Sequence, residues 1–243
     1  MKRIAIAIGL LAAVCGVTAV TTAKDKETDL WLKASVSIDA QGRVTGLDWN
    51  NVQTPVYTLL AERVAPAVKA WEFVPATVDG QPTTTRTGLL IHVFVSALPD
   101  GDLKLRFGSA QTGPMAISLA PPRYPHAAAK AGVSALVTTL VQVTADGKPI
   151  INDLKVVSDG GNRDAFEKAS REAIANWTFR PEIVAGRAVP GTIRIPISYC
   201  IGGAACRRFE TADTKPAADA PADTYVASST AVALKTNIGA QAI

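Results

Sequence analysis

Asn176-Trp177-Thr178-Phe179-Arg180-Pro181-Glu182-Ile183-Val184-Ala185-Gly186-Arg187 decides how the chain is read, because its pattern occurs twice. Ala70-Trp71-Glu72-Phe73-Val74-Pro75-Ala76-Thr77-Val78-Asp79-Gly80-Gln81 has the same Trp-x-Phe-x-Pro spacing and a glycine five residues past the proline. Upstream the match continues: Ala34 to Val44 and Leu140 to Ile150 each read as an alternating strand, a glycine-containing turn and a return strand. The offset is 105 residues at the turn, Gly42 to Gly147, and 106 at the tryptophan, Trp71 to Trp177. A period that long excludes a solenoid unit and implies a duplicated domain.

Working outward in the second copy, Leu136 to Thr144 alternates as a strand, Asp146-Gly147 supplies the hairpin turn and Ile150 to Val157 the partner strand. Ser158-Asp159-Gly160-Gly161-Asn162 breaks the sheet. Arg163 to Asn176 then carries Phe166, Ala169, Ala173 and Trp177 at spacings of three and four, one apolar face of a helix. Gly191 to Tyr199 alternates again, with Ile193, Ile195, Ile197 and Tyr199 on one side. Trp177 and Phe179, held extended before Pro181, are read as packing the helix against the sheet. The first copy follows the same order, but Pro66 falls inside its helix, Tyr57 to Lys69, and is expected to break or kink it.

The fold class that follows is α+β, with two tandem domains each ordered strand, strand, helix, strand. The expected boundaries are a signal peptide at 1–23, a first domain at 24–98, a linker at 99–119, a second domain at 120–209 and a disordered tail at 210–243. Pro99-Asp100-Gly101-Asp102 and Pro121-Pro122 punctuate the linker, and the tail is rich in Ala, Thr, Asp and Pro.

Lys2 and Arg3, the apolar run Ile4 to Val20 and Thr21-Thr22-Ala23 form a secretory signal peptide, with retention as a short membrane anchor the alternative. The chain's 25 Lys and Arg against 21 Asp and Glu lose two basic residues with that segment, so no nucleic-acid surface is indicated. Of three cysteines, Cys15 lies in the signal. Cys200 and Cys206 are most simply a disulfide, free thiols being the alternative. His92 and His126 are far apart in sequence, with no metal-ligand spacing and no nucleophile motif around them. No enzyme activity, metal or cofactor is expected.

Pro122-Arg123-Tyr124-Pro125, the Asp146-Gly147 hairpin, Trp177-x-Phe179-x-Pro181, Gly186 and Ile195-Pro196-Ile197 together give residues 120–200 a resemblance to the C-terminal domain of the TonB energy-transducer family. Residues 32–95 are similar and more divergent. The resemblance implies a helix on a three-stranded antiparallel sheet that binds extended segments of outer-membrane receptors by strand addition, with the protein in the periplasm or anchored to the inner membrane facing it. Tyr124, Pro125, Gly147, Trp177, Phe179, Pro181 and Gly186 are its structural motif. The candidate edge is Gly191 to Ser198, with Thr192, Arg194, Pro196 and Ser198 outward; a proline suits an edge, where no ladder bond is lost. The same residues also suit an edge protected against strand addition.

A full transducer needs a stiff periplasmic linker. Here only Lys24 to Leu30 separate the apolar run from the first repeat, a reach of about 25 Å. The competing reading is therefore a soluble envelope scaffold, stress or inhibitor protein with the same fold. Thiol titration of unfolded, unreduced, exported protein is expected to find no free thiol; two would remove the Cys200–Cys206 assignment.

Overall fold

Three interleaved patterns, apolar alternation, glycine turns and two amphipathic helices, produce the elements seen in a computed structural model, which describes residues 27–50, 53–98, 102–201 and 230–239. In the N-terminal half these are β1 (Thr28–Ile38), β2 (Val44–Trp49), α1 (Pro55–Lys69), β3 (Phe73–Val74), β4 (Thr77–Val78), β5 (Gln81–Pro82) and β6 (Thr85–Ala97). Next come β7 (Leu103–Gly113), β8 (Met115–Ser118) and α2 (His126–Ala131). The C-terminal half supplies β9 (Ala135–Val143), β10 (Pro149–Ser158), α3 (Arg163–Ile174), β11 (Thr178–Arg180), β12 (Glu182–Val184), β13 (Arg187–Val189) and β14 (Gly191–Tyr199). β15 (Ala233–Leu234) closes the described chain. The signal segment 1–23, Cys206 and residues 210–229 and 240–243 of the tail lie outside the described residues.

The halves are built alike at their turns. Gly42 (φ +83°) and Gly147 (φ +81°) each close a hairpin in the left-handed region. A Cβ on Gly42 would stand 2.0 Å from the Phe73 carbonyl oxygen, and one on Gly147 2.3 Å from that of Phe179, so only glycine fits. In return Phe73 N–H donates to Gly42 O (2.8 Å) and Phe179 N–H to Gly147 O (3.0 Å). The sheet orders also correspond, β2-β1-β6 against β10-β9-β14, antiparallel throughout. Trp71 and Trp177 sit in separate buried clusters, one centred on α1 and its sheet, the other on α3 and its sheet.

Several expectations are corrected. α1 is continuous through Pro66, which lies exposed in its last turn, where a proline costs the helix least of its remaining ladder. The stretch 99–119, expected as a linker, holds β7 and β8. β7 pairs with β6 from Gly88↔Gly113 to Ala97↔Leu103, and β8 with β11. The N-terminal sheet is therefore six-stranded rather than three-stranded. Its remaining members, β12 and β13, come from the C-terminal half, joined to β6 by Ile183↔Arg86 and Val184↔Thr85. Part of the tail expected to be disordered returns as β15 on β3, and Val232 and Ile238 enter the N-terminal core. Burying side chains of this size contributes roughly 1.5–3 kcal/mol each.

Glu182 knots these pieces together. It is fully buried; its Oε1 accepts from the Thr87 hydroxyl (2.6 Å) and its Oε2 from Ala231 N–H (2.9 Å), so it touches β6 and the tail at once. Thr87 Oγ1 in turn accepts from Gly113 N–H (3.0 Å) at the end of β7. Burial pushes the Glu182 carboxyl above the usual range, opposed by its two hydrogen bonds. A raised carboxyl stabilises the fold while protonated, below its ordinary value, and that contribution is lost as pH rises through the raised one. Thermal melting from about pH 4 to about pH 8 is expected to fall more steeply for the parent than for Glu182→Gln; equal slopes would show that Glu182 does not titrate in this range.

Candidate functional site

β14 is fixed from one side only. All nine of its residues pair with β9, from Gly191↔Val143 to Tyr199↔Ala135, and in the order β10-β9-β14 no strand among the described residues pairs with its other edge. Alternation does the positioning: Ile197 and Tyr199 are buried, and Ile193 and Ile195 pack beside them on the α3 cluster. Thr192, Arg194 and Pro196 are half-buried and Ser198 is exposed. Successive residues in an antiparallel strand turn their N–H and C=O to opposite sides. A proline is tolerated where its missing N–H faces away from the neighbour, so Thr192, Arg194 and Ser198, in phase with Pro196, turn their backbone groups to the open side.

An aromatic knot anchors the end of this strand. Tyr199 meets Phe166 (ring centroids 4.9 Å apart) and Tyr124 (5.6 Å), and Tyr124 meets Phe166 (5.7 Å). Tyr199 Oη and Ser170 Oγ share a buried hydrogen bond of 2.9 Å, and Tyr124 Oη donates to Val133 O at 2.7 Å. The helix face is wider than periodicity suggested: Ser170 and Ile174 are buried with Phe166. Pro125 precedes α2 as its N-cap residue, and Gly186 (φ +79°) turns β12 into β13. Phe179 lies on β11 and Pro181 between β11 and β12. Trp177 Nε1 donates to Ala120 O at 2.8 Å, tying the segment that enters this half to the end of α3. Cys200 follows β14, while its expected partner Cys206 lies outside the described residues.

The other edge strand, β10, is less suited to accept a partner. It carries Asp153 and Lys155 and a register shift between Ile151 and Asp153, features that guard edges against strand addition. Beside β14 there is instead a cavity of about 420 Å³. Ile193, Arg194, Ile195 and Pro196 line it on one side, and Trp31, Lys33, Leu90, Gln111, Met115 and Leu119 stand among the residues opposite. At the strand's start Pro114 packs against Gly191, where a Cβ would meet Pro114 Cγ at 2.7 Å, and the cavity's lining on β14 runs from Ile193 to Pro196. Sequence reading reached the β14 residues but not the opposite wall. Trp31 and Lys33 alternate with Leu30, Leu32 and Ala34, a signal of a two-faced strand that says nothing of what its outer face meets.

An α+β domain whose last strand keeps an open edge beside an apolar cavity has the build of a protein-interaction module. Residues 120–201 match the family described as Gram-negative bacterial TonB protein C-terminal. Protein TonB of Xanthomonas campestris pv. campestris (strain B100) is 33% identical over 81 residues, which are 33% of this chain and 35% of that protein. Protein TonB of Vibrio cholerae serotype O1 is 35% identical over 82 residues, 34% of this chain and 32% of that protein. The chain thus spans about a third of the length of the curated relatives it matches. The solution NMR structure of the Pseudomonas aeruginosa TonB CTD aligns at 25% identity and a TM-score of 0.30, covering 45% of this chain and 96% of that one. No helix among the described residues is long and apolar enough to cross a membrane.

Trp177→Ala is expected to destabilise the C-terminal half by about 3–5 kcal/mol, the usual loss for truncating a large buried aromatic. Denaturant unfolding measures it; a variant as stable as the parent that loses a partner would make Trp177 a contact residue instead.

Proposed function

We propose that the protein is a periplasmic, non-enzymatic binding module that takes an extended segment of a partner onto the open edge of β14, within energy transduction or transport at the outer membrane. The observation that carries this reading is the edge from Ile193 to Ser198, which no strand among the described residues covers, inside the stretch that matches the TonB C-terminal family. An outer-membrane receptor segment is the partner class that the family resemblance implies. Backbone hydrogen bonds supply much of the affinity in strand addition, and alternate side chains supply the selectivity. On this reading no cofactor is required, and residues 1–23 direct export.

The N-terminal half is read as a divergent second copy. The equivalent sheet orders and the paired Gly42–Phe73 and Gly147–Phe179 contacts support the duplication. In that half β6, which holds the place of β14, already carries β7 along its outer side. This favours division of labour, with the N-terminal half as support and the C-terminal half as receiver. The Cys200–Cys206 disulfide belongs to the same proposal, as a clamp just past β14.

Arg194→Pro deletes an edge donor in phase with Pro196 and is expected to weaken partner binding by about tenfold or more, whereas Ser198→Ala, which keeps the backbone intact, should change it by less than about threefold. Circular dichroism and melting establish that both variants stay folded. An Arg194→Pro protein that is folded and binds its envelope partner as the parent does would rule out this edge.

A further inference from the structure

The wall facing β14 is the side of the N-terminal sheet turned away from α1. Lys33, Leu90 and Gln111 form one cross-strand row, while their neighbours Leu32, Leu89 and Ile91 point into the α1 core. Trp31, next along that wall, is a fixed ring: it stacks on His92 with centroids 4.5 Å and planes 12° apart, and His92 leans on Phe94 at 4.5 Å. Gly108 makes room for that stack, since a Cβ there would lie 2.7 Å from both His92 Nδ1 and Phe94 Cε2. Lys33 and Arg194 line the cavity from opposite sides, and among the described residues no acidic side chain lines it.

A strand laid on β14 turns alternate side chains toward this wall, at the period of two that any strand has. About 420 Å³ is at the lower end of what a recognition pocket holds, enough for side chains rather than a second fold. We propose that Trp31 and Lys33, from the N-terminal half, are specificity determinants for the segment that β14 receives, selecting an extended stretch with a carboxylate next to a bulky apolar side chain. The inference rests on β14 being the receiving edge, and it makes the site a composite of both halves. Lys33 and Arg194 supply the field for the carboxylate, and Trp31 the apolar surface for its neighbour.

Selection of a random decapeptide library on the full chain, followed by sequencing, tests this. The pool from the parent is expected to be enriched about tenfold in Asp or Glu beside Leu, Ile, Phe or Trp. Lys33 is exposed, so Lys33→Ala should fold normally and yield a pool without the acidic preference, while Lys33→Arg restores it. Trp31→Ala should lose the bulky preference, with circular dichroism confirming its fold. A Lys33→Ala pool as acidic as the parent's overturns the composite site and leaves the edge reading standing. If Arg194→Pro returns the parent's pool, or the parent returns none, the edge reading fails and the composite site with it.

Discussion

A carboxylate buried between two halves of a chain constrains everything around it. Glu182 has no water to turn to, so its two oxygens must both be satisfied, and the donors it finds belong to different parts of the molecule: the Thr87 hydroxyl of β6 and the Ala231 N–H of the returning tail. Meeting both demands holds the β12–β13 hairpin against the N-terminal sheet and brings Val184 into that half's core. Arg180 adds a second tie, donating to Ser35 Oγ on β1 at 3.2 Å. With the hairpin fixed in this way, β14, which follows it directly, is set beside the N-terminal sheet, and the cavity between them takes its shape.

The two halves treat the same place in their sheets differently. β6 has a long neighbour in β7, whose Leu105 and Phe107 are buried in the core. On the side away from β9, β14 pairs with no strand among the described residues; Pro114 packs against Gly191 at its start, and the cavity lies beside Ile193 to Pro196. An open edge is a liability unless something restrains unwanted pairing. Here Thr192, Arg194 and Pro196 are half-buried, and Pro196 carries no N–H to offer a neighbour, two features that restrain indiscriminate pairing.

Much of each half was legible in the sequence because it is local. Alternation, the Asp146-Gly147 turn and the Phe166–Trp177 spacing specify β9, β10, α3 and β14 within a few residues of their observed ends. What was missed depends on distant partners. Leu103, Leu105 and Phe107 alternate as a strand should, yet the Pro and Gly punctuation on either side reads as a linker until β6 is there to pair with. Ala233-Leu234 has no strand pattern of its own and gains one only from β3. Glu182 stands in the decisive motif, but a carboxylate in a turn region reads as exposed; only the tertiary arrangement buries it. For the same reason the β14 residues were reachable from sequence and the Trp31–Lys33 wall was not.

The tail's attachment also bears on the order in which the molecule can be completed. Glu72 N–H donates to Thr236 Oγ1, a contact between residues 164 apart in sequence, and Lys235 Nζ reaches Glu72 at 2.8 Å. A chain that emerges from its N-terminus first therefore produces its N-terminal half long before the residues that finish that half's core. Until Val232 and Ile238 are in place, the N-terminal core lacks two of its buried members and β3 lacks its β15 partner. Contacts this remote in sequence raise the loop-closure cost and slow folding. The C-terminal half, whose sheet and helix all lie between residues 135 and 199, needs no such wait. The half that is made second thus has its own sheet and α3 complete in the chain before the earlier half has the last residues of its core.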